Sequence, residues 1–298
     1  MPFEVWIDAA LLGIFGLLIG SFLNVVIHRL PKMMERQWAA EVEQYVRETS
    51  TPALAQGAAG TPGGVQDEAF NLLTPRSRCP ACGHEVKWYE NVPVLSYVFL
   101  RGRCSGCKTR ISPRYPLVEL LTGALFFFCG AHWGLTATAA LWALFSAALV
   151  ALAFIDWDTT LLPDDITLPL LWSGLIASAL SWIPVPLFSS VMGAVGGYLS
   201  LWSIYWAFKL ATGKEGMGYG DFKLFAALGA WFGWQALVPI ILIASVIGAI
   251  VGIGMKFASS LREGGYVPFG PFLVGAGLTA MVFGAERVMQ TILGALGL

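Results

Sequence analysis

Charge and histidine are what this chain has least of. Only 12% of its 298 residues are Asp, Glu, Lys or Arg, whereas an average soluble domain carries about a quarter, so a chain immersed in water along its whole length is excluded. The three histidines, His28, His84 and His132, are scattered, and no HExxH occurs. That removes the metallohydrolase arrangements in which two imidazoles share one helical face. No GxSxG marks a serine nucleophile elbow, and no GxGxxG stands between a strand and a helix to cradle a dinucleotide. A net charge of −1 provides no general attraction for nucleic acid, and no nucleic-acid partner is expected. Before Arg29 there is no Lys or Arg at all, although Glu4 and Asp8 are present. This is the reverse of a cleaved secretory signal, and the first apolar run reads as a retained helix with its N-terminus outside.

What the chain has instead is apolar length. Apolar residues make up 56%, and a membrane crossing needs about 20 of them in succession. Eight runs qualify as candidates, near 9–28, 116–133, 136–155, 166–183, 187–208, 222–234, 236–257 and 271–293, the sixth being short. Of 18 Lys and Arg, twelve lie between Arg29 and Arg114. Positive-inside reasoning then places the 29–115 segment in the cytoplasm and returns the loops near 156–165, 209–221 and 256–270 to the same side. Trp133, Trp182, Trp231 and Trp234 fall at outer helix ends, where interfacial anchors belong. The expected fold is an all-α polytopic membrane protein of about eight transmembrane helices, with a small cytoplasmic zinc-binding insert.

The insert begins with a charged helical stretch, MMERQWAAEVEQYVRET, passes through a Gly/Ala/Pro linker, and ends in a compact segment with four cysteines. No internal repeat is evident. Cys79-x2-Cys82 and Cys104-x2-Cys107 have the spacing of two knuckles closing on one tetrahedral metal, with Gly83 and Gly106 expected to supply the turns around the sulfurs. Two disulfides are disfavoured in a reducing cytoplasm, and a redox CxxC pair would need a βαβ setting that is missing. Four thiolates leave no open coordination position, so structural zinc is expected. His84 reads as a neighbour of the site and not a ligand, and Cys129 as a small apolar core residue.

Acidic residues cluster where the apolar runs meet the cytoplasmic side, in FIDWDTTLLPDDITLPLLW and GMGYGDFKLFAALGAW. Each has a simple explanation by itself: Asp221, Asp164 or Asp165 as helix caps, Asp156 as the polar end of a helix. Together, carboxylates at the same end of different helices are suspect as functional, because acids at a membrane are costly. Gly218 and Gly220 would let backbone or substrate come close to Asp221. Two carboxylates about 3 Å apart cannot both ionise; one keeps a proton while the other acts as base, which is the requirement of aspartic proteolysis. A membrane scaffold with helix-capping acids and an ion-coupled transporter are the rival readings, and acids at one face instead of midway disfavour transport.

GSFLNVVIHRLP at 20–31, the CPAC and CSGC knuckles, ISPRYPLVELLTG at 111–123, the two acidic motifs and VPFGPFL at 267–273 resemble, in order and over nearly the whole chain, the bacterial prepilin peptidases, or type IV leader peptidases. The resemblance implies an inner-membrane enzyme. Such an enzyme cleaves the basic leader of type IV prepilins or type II secretion pseudopilins and N-methylates the new terminus with S-adenosylmethionine. Its aspartate pair maps onto Asp156 and Asp221, with Asp158, Asp164 and Asp165 ranking second. The apolar runs divide the chain into a first transmembrane helix (1–29), an insert (30–115) and a transmembrane domain (116–298), and the resemblance associates the insert with methylation and the last with the peptidase. The residues that hold the methyl donor are not assigned, GSFLNVVIHRLP and the zinc module being the candidate regions. Asn24, in an apolar run, needs a polar partner. Glu35, Glu41, Glu43, Glu85 and Glu90 are candidates for steering a basic leader. Pro268, Gly270 and Pro271 are expected to shape a loop opposite the acids.

Overall fold

A computed structural model describes residues 3–49, 70–257, 267–295 and 297. All regular elements among them are helical: α1 (Phe3–Thr49), α2 (Leu95–Phe99), α3 (Arg114–Trp133), α4 (Ala137–Thr159), α5 (Asp164–Ala179), α6 (Leu187–Thr212), α7 (Tyr219–Phe232), α8 (Leu237–Phe257), α9 (Gly270–Phe283) and α10 (Ala285–Ala295). Short 3-10 turns precede α2 and α8. The linker at 51–68 lies outside the described residues. The chain divides into two compact units, Leu17–Leu120 and the remainder.

Every expected span coincides with a helix or a helix pair, but the number of straight crossings is smaller than eight. Among the described residues, five helices are long and apolar enough to cross a membrane, six if α9 and α10 count as one. The reason is length. At about 1.5 Å per residue, α5 with 16 residues and α7 with 14 reach only about 24 and 21 Å, short of a hydrocarbon core of about 30 Å. The eighth run breaks at Gly284 (φ +84°), where α9 and α10 meet at 105°. The sixth and seventh are separate helices, divided at Gly233 with φ +81°. Helix α1 continues to Thr49 through Pro31. Its 47 residues measure about 70 Å, so its second half, which starts with the first basic residues, extends beyond any bilayer.

In the unit that carries the acids, α7 packs against both α5 and α6, and α9 against α4 and α8. Backbone proximity makes the α6–α7 contact tight. A Cβ on Gly193 would lie 2.1 Å from the Gly229 carbonyl oxygen, so the two helices touch through glycine. Trp231 is a correction to the expected anchors: it is buried, and its indole N–H donates to the Leu170 carbonyl at 2.8 Å. Trp182 and Trp234 remain exposed. Proximity to a helix end did not distinguish a lipid-facing ring from one turned into the bundle.

In the Leu17–Leu120 unit, polar side chains bind the chain together. Arg29 is buried and donates to the carbonyls of Asn71 (2.9 Å) and Pro75 (2.6 Å), while Arg36 lies over the Phe70 ring at 4.1 Å. Asn24 finds its partner in a helix neighbour, donating to the Tyr115 carbonyl at 3.1 Å. The boundary expected at residue 29 falls within α1 and leaves no break in the helix.

Candidate active site and metal centre

Among the described residues of the helical unit, Asp156 and Asp221 are the only buried carboxylates, at 4% and 6% exposure; Asp158, Asp164 and Asp165 are exposed. Asp156 occupies the last turn of α4. That helix ends because Thr160 adopts the left-handed conformation (φ +57°), its amide closing on the Asp156 carbonyl at 2.8 Å. Asp221 lies in the first turn of α7, where its Oδ2 accepts from the Gly218 amide at 3.2 Å. The capping reading of Asp221 is therefore correct as far as it goes, and it does not explain the burial. The two carboxyl groups are close enough to interact electrostatically.

The α4–α5 connection and the start of α9 surround the acids. A Cβ on Gly220 would stand 2.7 Å from Leu162 Cβ, and one on Gly270 would stand 3.3 Å from Leu162 Cδ2 and 2.5 Å from Asp156 Oδ2. Leu162 thus touches the glycines that flank both acids, and Gly270 leaves room for its own amide to donate to Asp156 Oδ2 at 2.9 Å. The loop expected opposite the acids is in contact with one of them. Gly270 is the site residue whose role sequence reasoning missed; its signal, glycine before proline at a helix start, reads as ordinary punctuation. Gly218 differs from Gly220: a Cβ there meets nothing closer than 3.9 Å, so packing does not require a glycine.

Outside this pair, Asp164 forms an ion pair with Lys223, both carboxyl oxygens at 2.7 Å from Nζ. With Asp165 it occupies the first turn of α5, where negative charge suits the helix dipole.

The four cysteine sulfurs all lie within 4.8 Å of one another, with Cys79–Cys107 at 3.8 Å and Cys82–Cys104 at 4.0 Å. Tetrahedral zinc–sulfur bonds of about 2.3 Å would set sulfurs about 3.8 Å apart. The donor set and its spacing fit a closed zinc site. Thr109, through its hydroxyl and its amide, holds the Cys107 thiol down to about 6, towards the thiolate that a metal binds. His84 is not among the clustered ligands; its Nε2 lies 3.1 Å from Glu90 and 3.0 Å from Ser105. Ser105 and the Lys87 amide help hold Glu90 down to about 2.

A repeat escaped the sequence reading. Cys79 N bonds the His84 carbonyl and Gly83 N the Cys79 carbonyl; Cys104 N bonds the Thr109 carbonyl and Lys108 N the Cys104 carbonyl, position for position. The expected turn glycines are corrected accordingly. Gly83 has φ +71°, but in the second knuckle Lys108, not Gly106, takes the left-handed position at φ +61°.

Comparison with known proteins places these features. The Bacterial Peptidase A24 N-terminal domain matches residues 14–133 and the Type IV leader peptidase family residues 143–253. A protein of Aeromonas salmonicida (strain A449) named prepilin leader peptidase/N-methyltransferase is 51% identical over 283 residues, covering 94% of this chain and 92% of its own. Proteins of the same name from Pseudomonas aeruginosa and Burkholderia pseudomallei (strain K96243) are each 48% identical. They cover 94% and 91% of this chain, and 91% and 84% of their own. No solved structure matches. With half of its residues shared along nearly its entire length, and with the buried acids falling in the matched segment, the chain belongs to the type IV leader peptidase family.

Proposed function

We propose that this protein is a leader peptidase and N-methyltransferase of the bacterial inner membrane. It removes the basic leader of type IV prepilins or type II secretion pseudopilins at the cytoplasmic face through Asp156 and Asp221, and then methylates the exposed terminus. The observation that carries the peptidase reading is the burial of these two acids, alone among the described carboxylates of their unit, one in the last turn of α4 and the other in the first turn of α7. One carboxyl holds a proton and polarises the scissile carbonyl; the other takes a proton from water, which adds to the carbonyl carbon. Return of that proton to the leaving amine breaks the C–N bond. Gly270 and Gly218 fix the two carboxyls through their amides.

Such a site must cut where a cytoplasmic basic segment meets an apolar helix, which is the junction a prepilin offers. The five glutamates proposed to steer the leader divide. Glu43, Glu85 and Glu90 are engaged with Arg47, Arg78 and His84, which leaves Glu35 and Glu41, exposed on α1, for that role.

For the insert, Cys79, Cys82, Cys104 and Cys107 would hold zinc as a purely structural ion. S-Adenosylmethionine, when bound, supplies an electrophilic methyl group. In the candidate region GSFLNVVIHRLP the polar groups of Asn24 and Arg29 are directed onto backbone carbonyls. Purified protein incubated with a basic-leader prepilin and S-adenosylmethionine should yield two mass changes, loss of the leader and gain of a methyl group. Intact prepilin after incubation with folded, zinc-loaded protein would reject the proposal.

A further inference from the structure

The insert carries an apolar face that its own packing does not use. In α2, Leu95, Val98 and Phe99 are 57%, 64% and 82% exposed, and their i, i+3, i+4 spacing puts them on one side. Tyr97, between them, turns the other way: its ring stands where a Gly102 Cβ would be, 2.9 Å off. The preceding 3-10 turn packs against α2 and adds Trp88 at 84% and Tyr89 at 51% exposure.

Two observations say what covers this face. The first is its level relative to a membrane helix. Val94, the residue before α2, donates its amide to the buried carboxylate of Glu119 at 2.8 Å. This contact holds Val94 at φ +59°, where a β-branched residue is strained. Glu119 lies five residues into α3, about 7–8 Å along its axis from Arg114. Since α3 has 20 residues, about 30 Å, it needs its whole length to span the hydrocarbon. The start of α2 is thereby tied to a point on the membrane side of where α3 enters. The second is charge. From Asn71 to Tyr115 there are eight Lys and Arg against Glu85 and Glu90; Arg78 and Glu85 neutralise one another, and even with the −2 charge of a zinc held by four thiolates the segment keeps a positive excess. Basic residues beside exposed aromatic and aliphatic side chains are the composition of a surface lying in a lipid interface.

We propose that α2 and the turn before it form an interfacial anchor. Leu95, Val98, Phe99 and Trp88 enter the headgroup region of an anionic leaflet, and Arg101 and Arg103 contact lipid phosphates. The anchor would fix the height of the zinc module above the membrane. A basic leader peptide is the less suitable occupant, because a positive rim repels it.

Full-length protein in nanodiscs tests this, with p-benzoylphenylalanine placed at Phe99 or, as a control, at Tyr45 on the emergent half of α1, which is 68% exposed. Photolysis should attach lipid at position 99 severalfold more than at position 45, and the yield should fall when phosphatidylglycerol is replaced by phosphatidylcholine. Amide exchange across 95–103 should be slower in the anionic nanodiscs, and Val98→Glu with Phe99→Glu should abolish the difference while one zinc per chain is retained. Equal lipid attachment at the two positions overturns the anchor. So does attachment of position 99 to added prepilin in preference to lipid.

Discussion

The helical unit and the cysteine-bearing unit are held together differently, and the difference locates their functions. Around Asp156 and Asp221 the interior is continuous: Ile155, Phe222, Leu224 and Phe225 are at most 2% exposed, and α6 and α7 meet backbone to backbone. Two acids kept there are costly and need a reason. Between Asn71 and Tyr115, by contrast, the apolar side chains are mostly exposed, and four thiols with a few side-chain-to-backbone bonds replace a core. One unit buries two carboxyl groups in an apolar interior. In the other, the Asn71–Tyr115 segment buries little, and its four clustered cysteines could take over the role of a core by holding a metal.

Substitutions should separate the two behaviours. The largest effect is expected from Asp156→Asn or Asp221→Asn. Each should lower leader cleavage by roughly 10³-fold or more, since members of a catalytic unit fail together, while methylation of an already cleaved peptide continues. Near-normal cleavage by either variant, measured on purified protein, would dissolve the contrast.

Next comes Cys79→Ser or Cys104→Ser. Structural zinc binding is coupled to folding by about 10 kcal/mol or more, so the insert should lose its metal and become protease-sensitive while the helical unit stays resistant. Metal analysis of the wild-type protein should give one zinc per chain.

Gly270→Ala probes the acid site without touching an acid. The added methyl would lie 2.5 Å from Asp156 Oδ2, and a displacement on the order of 1 Å costs roughly 10²-fold in rate. Gly218→Ala meets no such contact and should be tolerated unless substrate occupies that space, which a rise in KM at constant kcat would reveal. The smallest effect is expected from Asp164→Asn. It breaks an exposed pair with Lys223 worth about 0–1 kcal/mol and should leave cleavage nearly unchanged, showing that burial and not acidity marks the functional carboxylates.

How much of this was legible beforehand varies with the range of the interaction. The knuckles could be read from two CxxC pairs because the ligands are close in sequence and a tetrahedral metal demands that spacing. Asp221 stood out between glycines and an apolar run. Asp156 did not: it shares its stretch with Asp158, Asp164 and Asp165, and without the family resemblance nothing local separates the four. Gly270 was seen but misread, because its purpose is a hydrogen bond to an acid more than a hundred residues away. Trp231 failed for the same reason.

The sequence by itself determined that the chain is helical and membrane-bound, that four cysteines form one cluster, and that acids gather beside the ends of its apolar runs. These follow from composition and short spacings, which act over one or two turns of chain. Only the tertiary structure decided which acids are buried, which glycines permit a backbone to approach them, and that several apolar runs are too short or too bent to cross alone. Burial and approach depend on which helices meet side by side, a property that no single segment carries.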